Sequence, residues 1–466
     1  MRSVPEITLP IRLERSNETL PTQLAANLRH LIGSAVLAPG ESLPSSRALA
    51  SHLGVSRGSV LAAYDQLLAE GYLSATTGRA TIVNPHLLRV HPPTARPTRT
   101  IAAEPRSELD LRPGLPWQDE VVGRAWKSAW RRASTDPVDE VVPPLGHPGL
   151  RSAWADHLRR MRAVVRDPGQ IAVTAGGREG LALLLLALAD QAPLRVGVED
   201  PGYPSLRRVP TRFGHSVVAL PVDDHGLTVA HLPTGSDAPD LLLVTPSHQY
   251  PLGGSMPIDR RQALLEWARR HRVVIIEDDY DSELRYTSQP LPALAALDDP
   301  SDGRVVLLGT LSKTLTPALA TGFLTLPDWL VGPVTDTRRD LGQPVGLVPQ
   351  RAVANYLDAG ALRLHTQRMR NRYRRRRAQV VDALSGVAGL RVYPMDGGLH
   401  AVVETGRPEG DVVDALADAG VRVSPLSQYW SGSGTRSGIV FGFGAVSEDD
   451  LARGLALIAA VAGDVA

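Results

Sequence analysis

The chain has 466 residues, 43% apolar and 21% charged, with a formal net charge of +1 at pH 7 and no cysteine. That length implies two or three domains, the balance is globular, and the missing cysteine excludes disulfides, thiolate metal sites and cysteine nucleophiles. The longest apolar run, residues 180–189, is about half of the ~18 residues a membrane span needs, and MRSVPEITLPIRLERSNETL lacks a signal-peptide stretch, so a cytoplasmic protein with no membrane partner is expected.

Residues 16–84 read as three helices and a hairpin. From Gln23 to Ser34, Leu24, Leu28, Leu31 and Ile32 fall at helical spacing before Pro39-Gly40 ends the element. In LPSSRALASHLGVSRGSVLAAYDQLLAEGYL, Ser45 or Ser46 caps a short helix through Leu53, Gly54 supplies a left-handed turn, and Ser56 caps a second helix from Arg57 to about Glu70. That is a helix-turn-helix. Thr77-Gly78 then lies between two short β-prone runs as the tip of a hairpin or wing. In such a unit the second helix enters the major groove with its N-terminal residues against base edges, its positive end facing phosphate. Arg57 and Ser59 hold those positions, beside the cap Ser56. Arg47, at the start of the preceding helix, is placed for a phosphate or base contact, and Gly78 with Arg79 at the wing for the minor groove. Double-stranded DNA is the expected partner. The bland alternative is a three-helix module without DNA, since residues 1–84 carry seven Arg against six Asp plus Glu.

Residues 85–109, rich in Pro, Thr and Arg without periodicity, read as an extended linker. Residues 110–466 alternate apolar β-runs with helical patterns, the signature of an α/β fold with a largely parallel sheet. The expected strands are Ile171 to Thr174, Arg195 to Val198, Leu241 to Thr245, Val273 to Glu277 and Arg304 to Leu308.

Nearly every basic residue is Arg; the only lysines are Lys127 and Lys313. Arg substitutes for Lys in surface pairing but does not serve as a Schiff-base amine, so a surviving Lys is a candidate for imine chemistry. Lys127 lies in the amphipathic run GRAWKSAWRRA and reads as a surface residue. Lys313 has informative neighbours, because four motifs precede or contain it, each meeting one requirement for holding pyridoxal phosphate. VTAGGREGL leads a strand through Gly176 and Gly177 into a helix, a ready anion site. In EDPGYPSL, Tyr203 is placed to stack on a planar ring. In IIEDDYDSELRY, a carboxylate such as Asp278 can keep a pyridine nitrogen protonated and Tyr280 can bond a ring hydroxyl. LLGTLSKTL sets Lys313 beside Thr310 and Ser312, whose hydroxyls suit phosphate, with Lys313 as the Schiff-base lysine. The competing reading of the acids is a Mg²⁺ site at Asp278, Asp279 and Asp281, or inert strand ends; no metal is expected.

Over essentially its whole length the chain resembles a MocR-type member of the GntR regulators, in which a winged helix-turn-helix is fused to a fold-type I aminotransferase-like domain. GESLPSSRALASHLGVSRGSVLAAYDQLLAEGYL carries the first likeness; LRPGLP, EDPGYP, TPSHQYPLGGSMP, EDDYDSELRY and GTLSKTL carry the second. The resemblance implies Lys313 as the cofactor lysine, Asp278 as partner of the ring nitrogen, Tyr280 as partner of the ring hydroxyl, and Ser247 and His248 as residues near the ring. It also implies a head-to-tail homodimer and a small-molecule effector. The chain departs from the family at Ala320, where a phosphate-gripping Arg is usual, and at Val440, where an Arg for a substrate carboxylate is usual, with Arg436 nearby out of pattern. GGREGL replaces GAQQAL, so Arg178 is a candidate for the lost phosphate charge; VVPPLGHPGL lacks the usual Tyr; and the wing has Ala80 for Gly. HTQRMRNRYRRRRAQVV reads as a solvated, dimer-facing helix rather than a second DNA surface. Three readings stay open. One is a regulator sensing pyridoxal phosphate or its adduct with an amine, another a regulator that has lost the cofactor and senses something else, and the third a working aminotransferase with a DNA-binding appendage. Catalysis is secondary in the first, though a residual transaminase half-reaction is compatible with it.

Overall fold

The computed structural model describes residues 9–13, 18–75, 80–87, 109–119, 121–137, 141–189, 192–286, 291–432 and 436–463. The chain divides into two compact units, residues 1–105 and 106–466. Most of the expected linker, and Gly78 and Arg79 of the expected wing, lie outside the described residues.

In the small unit, α1 (Leu20–Gly33), α2 (Ser46–Leu53) and α3 (Arg57–Ala69) precede β1 (Leu73–Ser74) and β2 (Ile82–Val83). The first helix begins three residues before the expected Gln23, because Pro21 suits a first turn where its missing N–H costs nothing. Both serine caps form: Ser45 Oγ accepts the Ala48 N–H at 3.2 Å and Ser56 Oγ accepts the Ser59 N–H at 3.0 Å. Gly54, with φ 65°, supplies the left-handed turn after α2. Tyr64 donates its hydroxyl proton to the Pro44 carbonyl at 2.8 Å, tying α3 to the start of the motif. Leu24, Leu28, Leu31, Val60, Leu67 and Val83 close the core, and β1 pairs antiparallel with β2 through Leu73 opposite Val83.

The large unit opens with β3 (Leu109–Asp110). It continues through β4 (Ile171–Thr174), β5 (Arg195–Asp200), β6 (Ser216–Asp223), β7 (Gly226–Leu227), β8 (Leu241–Val244), β9 (Val274–Asp279), β10 (Val305–Thr310) and β11 (Gly322–Thr325). The last eight form one sheet in the order β4-β11-β10-β9-β8-β5-β6-β7. From β10 to β6 the pairs are parallel, as expected; β11 runs antiparallel to both β10 and β4, and β7 antiparallel to β6. The central strands are buried on both faces, which explains their unbroken Leu, Val and Ile runs. The strand β11 was not among those expected, because GFLT is too short to show a period.

Next come β12 (Leu390–Val392), β13 (His400–Thr405), β14 (Val421–Arg422), β15 (Ser424–Pro425) and β16 (Gly438–Gly442). Four of them make a second, antiparallel sheet in the order β12-β13-β16-β15, while β14 pairs parallel with β3. The Arg-rich helix, Ala361–Leu384, corrects one expectation. Only part of it is solvated: Arg368, Arg374 and Arg375 are exposed, but Met369, Tyr373, Arg376 and Val380 are buried at steps of three and four. The Arg376 guanidinium stacks over Trp117 at 4.8 Å and donates to the Phe443 and Gly444 carbonyls at 3.0 and 2.6 Å. Arg370 donates to the Glu283 carbonyl at 3.0 and 2.8 Å. A planar guanidinium with five donors satisfies loop carbonyls that an apolar side chain would leave unpaired. No helix among the described residues is long and apolar enough to cross a membrane.

Candidate functional site

The C-terminal ends of the parallel strands, where α/β sheets bind ligands, open onto a cavity of about 410 Å³. Gly176, Gly177, Arg178, Tyr203, Asp278, Tyr280, Thr310, Ser312 and Lys313 all line it, so residues spread over 138 positions of sequence meet at one place.

At one end, Lys313 follows β10 and donates from Nζ to the Gly114 carbonyl at 2.7 Å. Burial lowers its pKa below the ordinary lysine value, while Asp281 and Asp278 pull the other way. Gly114, at φ 122°, allows this approach: a Cβ there would stand 3.2 Å from Nζ. Asp278 is the penultimate residue of β9, its carboxyl buried, facing the cavity and without a hydrogen bond among the described residues. Burial, then the neighbouring Asp279 and Asp281, push its pKa up to about 8, against the opposing pull of Lys313. An unpaired buried carboxyl is costly unless a partner arrives. Tyr280 donates its hydroxyl proton to the His248 carbonyl at 3.0 Å, and its oxygen also lies 3.0 Å from His248 Nδ1.

At the other end, Gly176 adopts φ 91° and leads into the helix Gly177–Leu188. The first-turn N–H groups of that helix have no helical acceptor, and Thr310 Oγ1 lies 2.9 Å from Ser312 Oγ on the facing wall. Glu179 holds the turn, accepting the Ala175 N–H at 2.8 Å while pairing with Arg338 at 2.7 Å. Arg178 is exposed at this end, and Ala320 occupies the wall with φ 44°. Free backbone N–H groups, two hydroxyls, a helix N-terminus and one guanidinium make a cradle suited to a phosphate.

Ser247 and His248 sit behind this cavity rather than on its wall, because each faces a buried partner. Ser247 accepts from Arg162 Nη2 at 3.0 Å, and His248 Nδ1 lies 3.1 Å from Asp281. Val440 is buried in β16, and Arg436 is engaged by the Tyr393 hydroxyl and by Glu404 at 3.6 Å. Among the described residues the cations that line the cavity are Lys313 and Arg178. No group of three His, Asp or Glu side chains among the described residues is arranged to hold a metal ion.

Sequence reasoning missed Gly114, Tyr250 and Glu199. Tyr250 lines the cavity and stands edge-on to both Tyr203 and Tyr280, with ring centroids 5.3 and 5.7 Å apart. Its only signal was its place in TPSHQYPLGGSMP. Glu199 lies buried at the end of β5, accepting the Thr245 N–H at 3.2 Å with one oxygen while the other has no partner; burial pushes its pKa to about 7. His400, buried against Tyr250 at 4.7 Å, is pushed down to about 4 by burial and by His248.

In the small unit, Arg47, Ser56 and Arg57 are exposed and Ser59 half-buried at the N-terminal ends of α2 and α3. Arg57 Nε donates to Ser46 Oγ at 3.3 Å, which leaves its terminal nitrogens free for another acceptor.

Residues 113–439 match the aminotransferase class I and II family, and residues 20–83 match the bacterial regulatory proteins of the gntR family. The chain is 48% identical to the HTH-type pyridoxine biosynthesis transcriptional regulator PdxR of Corynebacterium glutamicum, covering 95% of this chain and 96% of that one. It is 32% identical to the probable rhizopine catabolism regulatory protein MocR of Rhizobium meliloti, over 93% of this chain and 92% of its relative. Among solved structures, an archaeal alanine:glyoxylate aminotransferase superposes with a TM-score of 0.69 at 23% identity, over 76% of this chain and 90% of the other. That likeness shows the fold. By whole-length similarity and by both of its units, the chain belongs to the MocR-type transcription regulators of the GntR family, a winged helix-turn-helix joined to an aminotransferase-like domain.

Proposed function

We propose that the large unit binds pyridoxal phosphate through Lys313, and that the cofactor itself is the effector that tunes DNA binding by the small unit. One observation carries this reading: a half-buried amine and an unpaired buried carboxyl face a single cavity that ends in a phosphate cradle. When bound, pyridoxal phosphate supplies an aldehyde for the amine and a basic ring nitrogen for the carboxyl. Asp278 then holds its charge beside a protonated nitrogen, Tyr280 meets the ring hydroxyl, Tyr203 stacks, and Gly176, Gly177, Thr310, Ser312 and Arg178 receive the phosphate. Among the described residues no lining cation other than Lys313 and Arg178 is available for a substrate carboxylate, which supports the cofactor over its adduct with an amino acid, and binding over transamination. The relative from Corynebacterium glutamicum, named for pyridoxine biosynthesis, agrees in direction.

In this reading Arg47, Ser56, Arg57 and Ser59, with Gly78 and Arg79 of the wing, meet the operator in the cytoplasm. Two chains form a head-to-tail homodimer whose arrangement differs between free and ligand-bound states, and so presents the two small units differently. Ala320 favours the second reading, a regulator without the cofactor. A visible absorption titration with pyridoxal phosphate, run beside Lys313→Ala and paired with operator binding, separates the two. A visible band in the wild type alone, with a change in operator affinity on adding the cofactor, is the expected result. No band at saturation hands the case to the cofactor-free regulator.

A further inference from the structure

The hydrogen-bond ladder between β9 and β10 ends at the pair Gly309 and Asp279. Tyr280 and the residues after it are therefore not held by the sheet, although Tyr280 must present its hydroxyl to the cavity. Three acids at alternate positions of this segment each meet a partner brought by another element. Asp279 accepts from Arg162 Nε at 2.8 Å, Asp281 lies 3.1 Å from His248 Nδ1, and Glu283 lies 2.5 Å from His157 Nε2. His157 and Arg162 both belong to the helix Pro148–Arg162. The residues between the first two acids and before them, Tyr280 and Asp278, line the cavity. Through Asp278 and Asp279 the alternation is that of an extended chain, one face toward the cavity and the other toward the partners; beyond Tyr280 the chain turns into the short 3-10 helix Ser282–Leu284, from which Glu283 meets His157.

Side-chain exposure is 4% for Arg162 and 6% for Asp279, so this pair lies beneath the site, away from solvent. A buried ion pair adds little net stability over an apolar pair of similar volume, yet removing one member leaves an uncompensated charge. Its consequence is fixed geometry. Arg162 extends that geometry further, because its Nη2 donates to Ser247 Oγ at 3.0 Å and so ties the strand end to the loop behind Tyr280.

We propose that Arg162 is a positioning residue: with Asp279, and with His248 and His157 repeating the contact at Asp281 and Glu283, it fixes Asp278 and Tyr280 in register to meet a pyridine ring. The inference rests on the pyridoxal phosphate reading for the identity of the ring alone. The acids at 279, 281 and 283 are accordingly structural partners, not ligands for a metal.

The test uses the full chain with Arg162→Met, Arg162→Lys and the double variant Arg162→Met/Asp279→Leu. Four quantities are read: amide hydrogen exchange of residues 280–286 without ligand, affinity for pyridoxal phosphate, the pH at which its visible band changes, and the thermal midpoint. We expect Arg162→Met to speed exchange in 280–286, move the band's pH transition, and weaken cofactor binding by about tenfold or more, the scale for losing a group that orients a first contact. Arg162→Lys recovers part of each. The double variant recovers the thermal midpoint without recovering affinity, since the buried charge is gone but the grip is not restored. Wild-type exchange and affinity in Arg162→Met overturn the proposal, as does a double variant that recovers affinity together with the midpoint. Should Arg162→Met fail to fold, the isosteric Asp279→Asn is judged by the same outcomes. A wild type with no visible band removes the cofactor reading, and the ligand-free exchange comparison still decides the positioning role.

Discussion

The two binding surfaces of this protein are built on opposite electrostatic terms. On the small unit, Arg47 and Arg57 are exposed to water at helix N-termini, where hydration keeps the cost of a charge small and its interactions are screened by salt. In the large unit, Lys313 and Asp278 are withdrawn from water, and burial moves both away from their ordinary ionisation. In the proposed function the first surface stays ready for any polyanion and gains its specificity from the bases it meets. The second is unfavourable until a molecule of matching charge and shape fills it, so it discriminates before any conformational change is asked of it.

Several substitutions probe that contrast. The largest effect is expected for Lys313→Ala, which removes the cavity's only amine: the visible band on adding pyridoxal phosphate should vanish outright, with wild-type affinity for DNA lacking the effector. Asp278→Asn should weaken the cofactor by about tenfold or more, since a charge-assisted hydrogen bond contributes about 1.5–3 kcal/mol. The same carboxyl gives the ligand-free protein a pH signature. Its pKa rises from 3.8 in the unfolded chain to about 8 in the folded one, so the folded state keeps a proton that the unfolded state releases. That stabilisation is fully present below about pH 4 and is lost as pH rises toward 8. Thermal midpoints measured without ligand should therefore fall across this window, and less so in Asp278→Asn.

On the exposed surface, Arg57→Ala should cost about 1–3 kcal/mol against the preferred operator and relax its sequence preference, whereas Arg47→Ala should lower the salt slope of binding by about one. An equal loss on operator and on random DNA for Arg57→Ala would reassign that residue to the phosphate backbone. At the phosphate end of the cavity the two terms mix, because Arg178 is exposed. Arg178→Ala should weaken the cofactor severalfold and Ala320→Arg should strengthen it by a similar factor, both readable in one titration; exposed pairs sit at the low end of ionic contributions. Position 320 already carries a Cβ at φ 44°, so the added side chain brings no new backbone strain there. The smallest change expected is for Ser45→Ala, which removes the cap of α2 and should lower the stability of the small unit by about 1 kcal/mol.

Much of this was legible in the residues themselves. The caps Ser45 and Ser56 and the turn at Gly54 each act through local chemistry, within three or four positions of the groups they serve. The five expected strands proved to be β4, β5, β8, β9 and β10, because their buried positions show as nearly unbroken apolar runs. Less legible were the edges and the second layer. Nothing local marks GFLT as an antiparallel strand. The Arg run from 368 to 377 looks like a solvated face until its carbonyl acceptors, more than sixty residues away at Phe443 and Gly444, are in view.

The sequence by itself determined the kinds of groups available: two lysines, a strand ending in acids, glycines before a helix, and hydroxyls flanking one of the lysines. Those properties belong to residue types and short spacings. Only the tertiary structure decided which acid faces the cavity and which turn to Arg162, His248 and His157, and that Ser247 and His248 stand behind the site. It also decided that Gly114 receives the lysine. Burial and pairing are set by segments far apart in the chain, and an acid's role in this protein follows from what those distant segments bring to it.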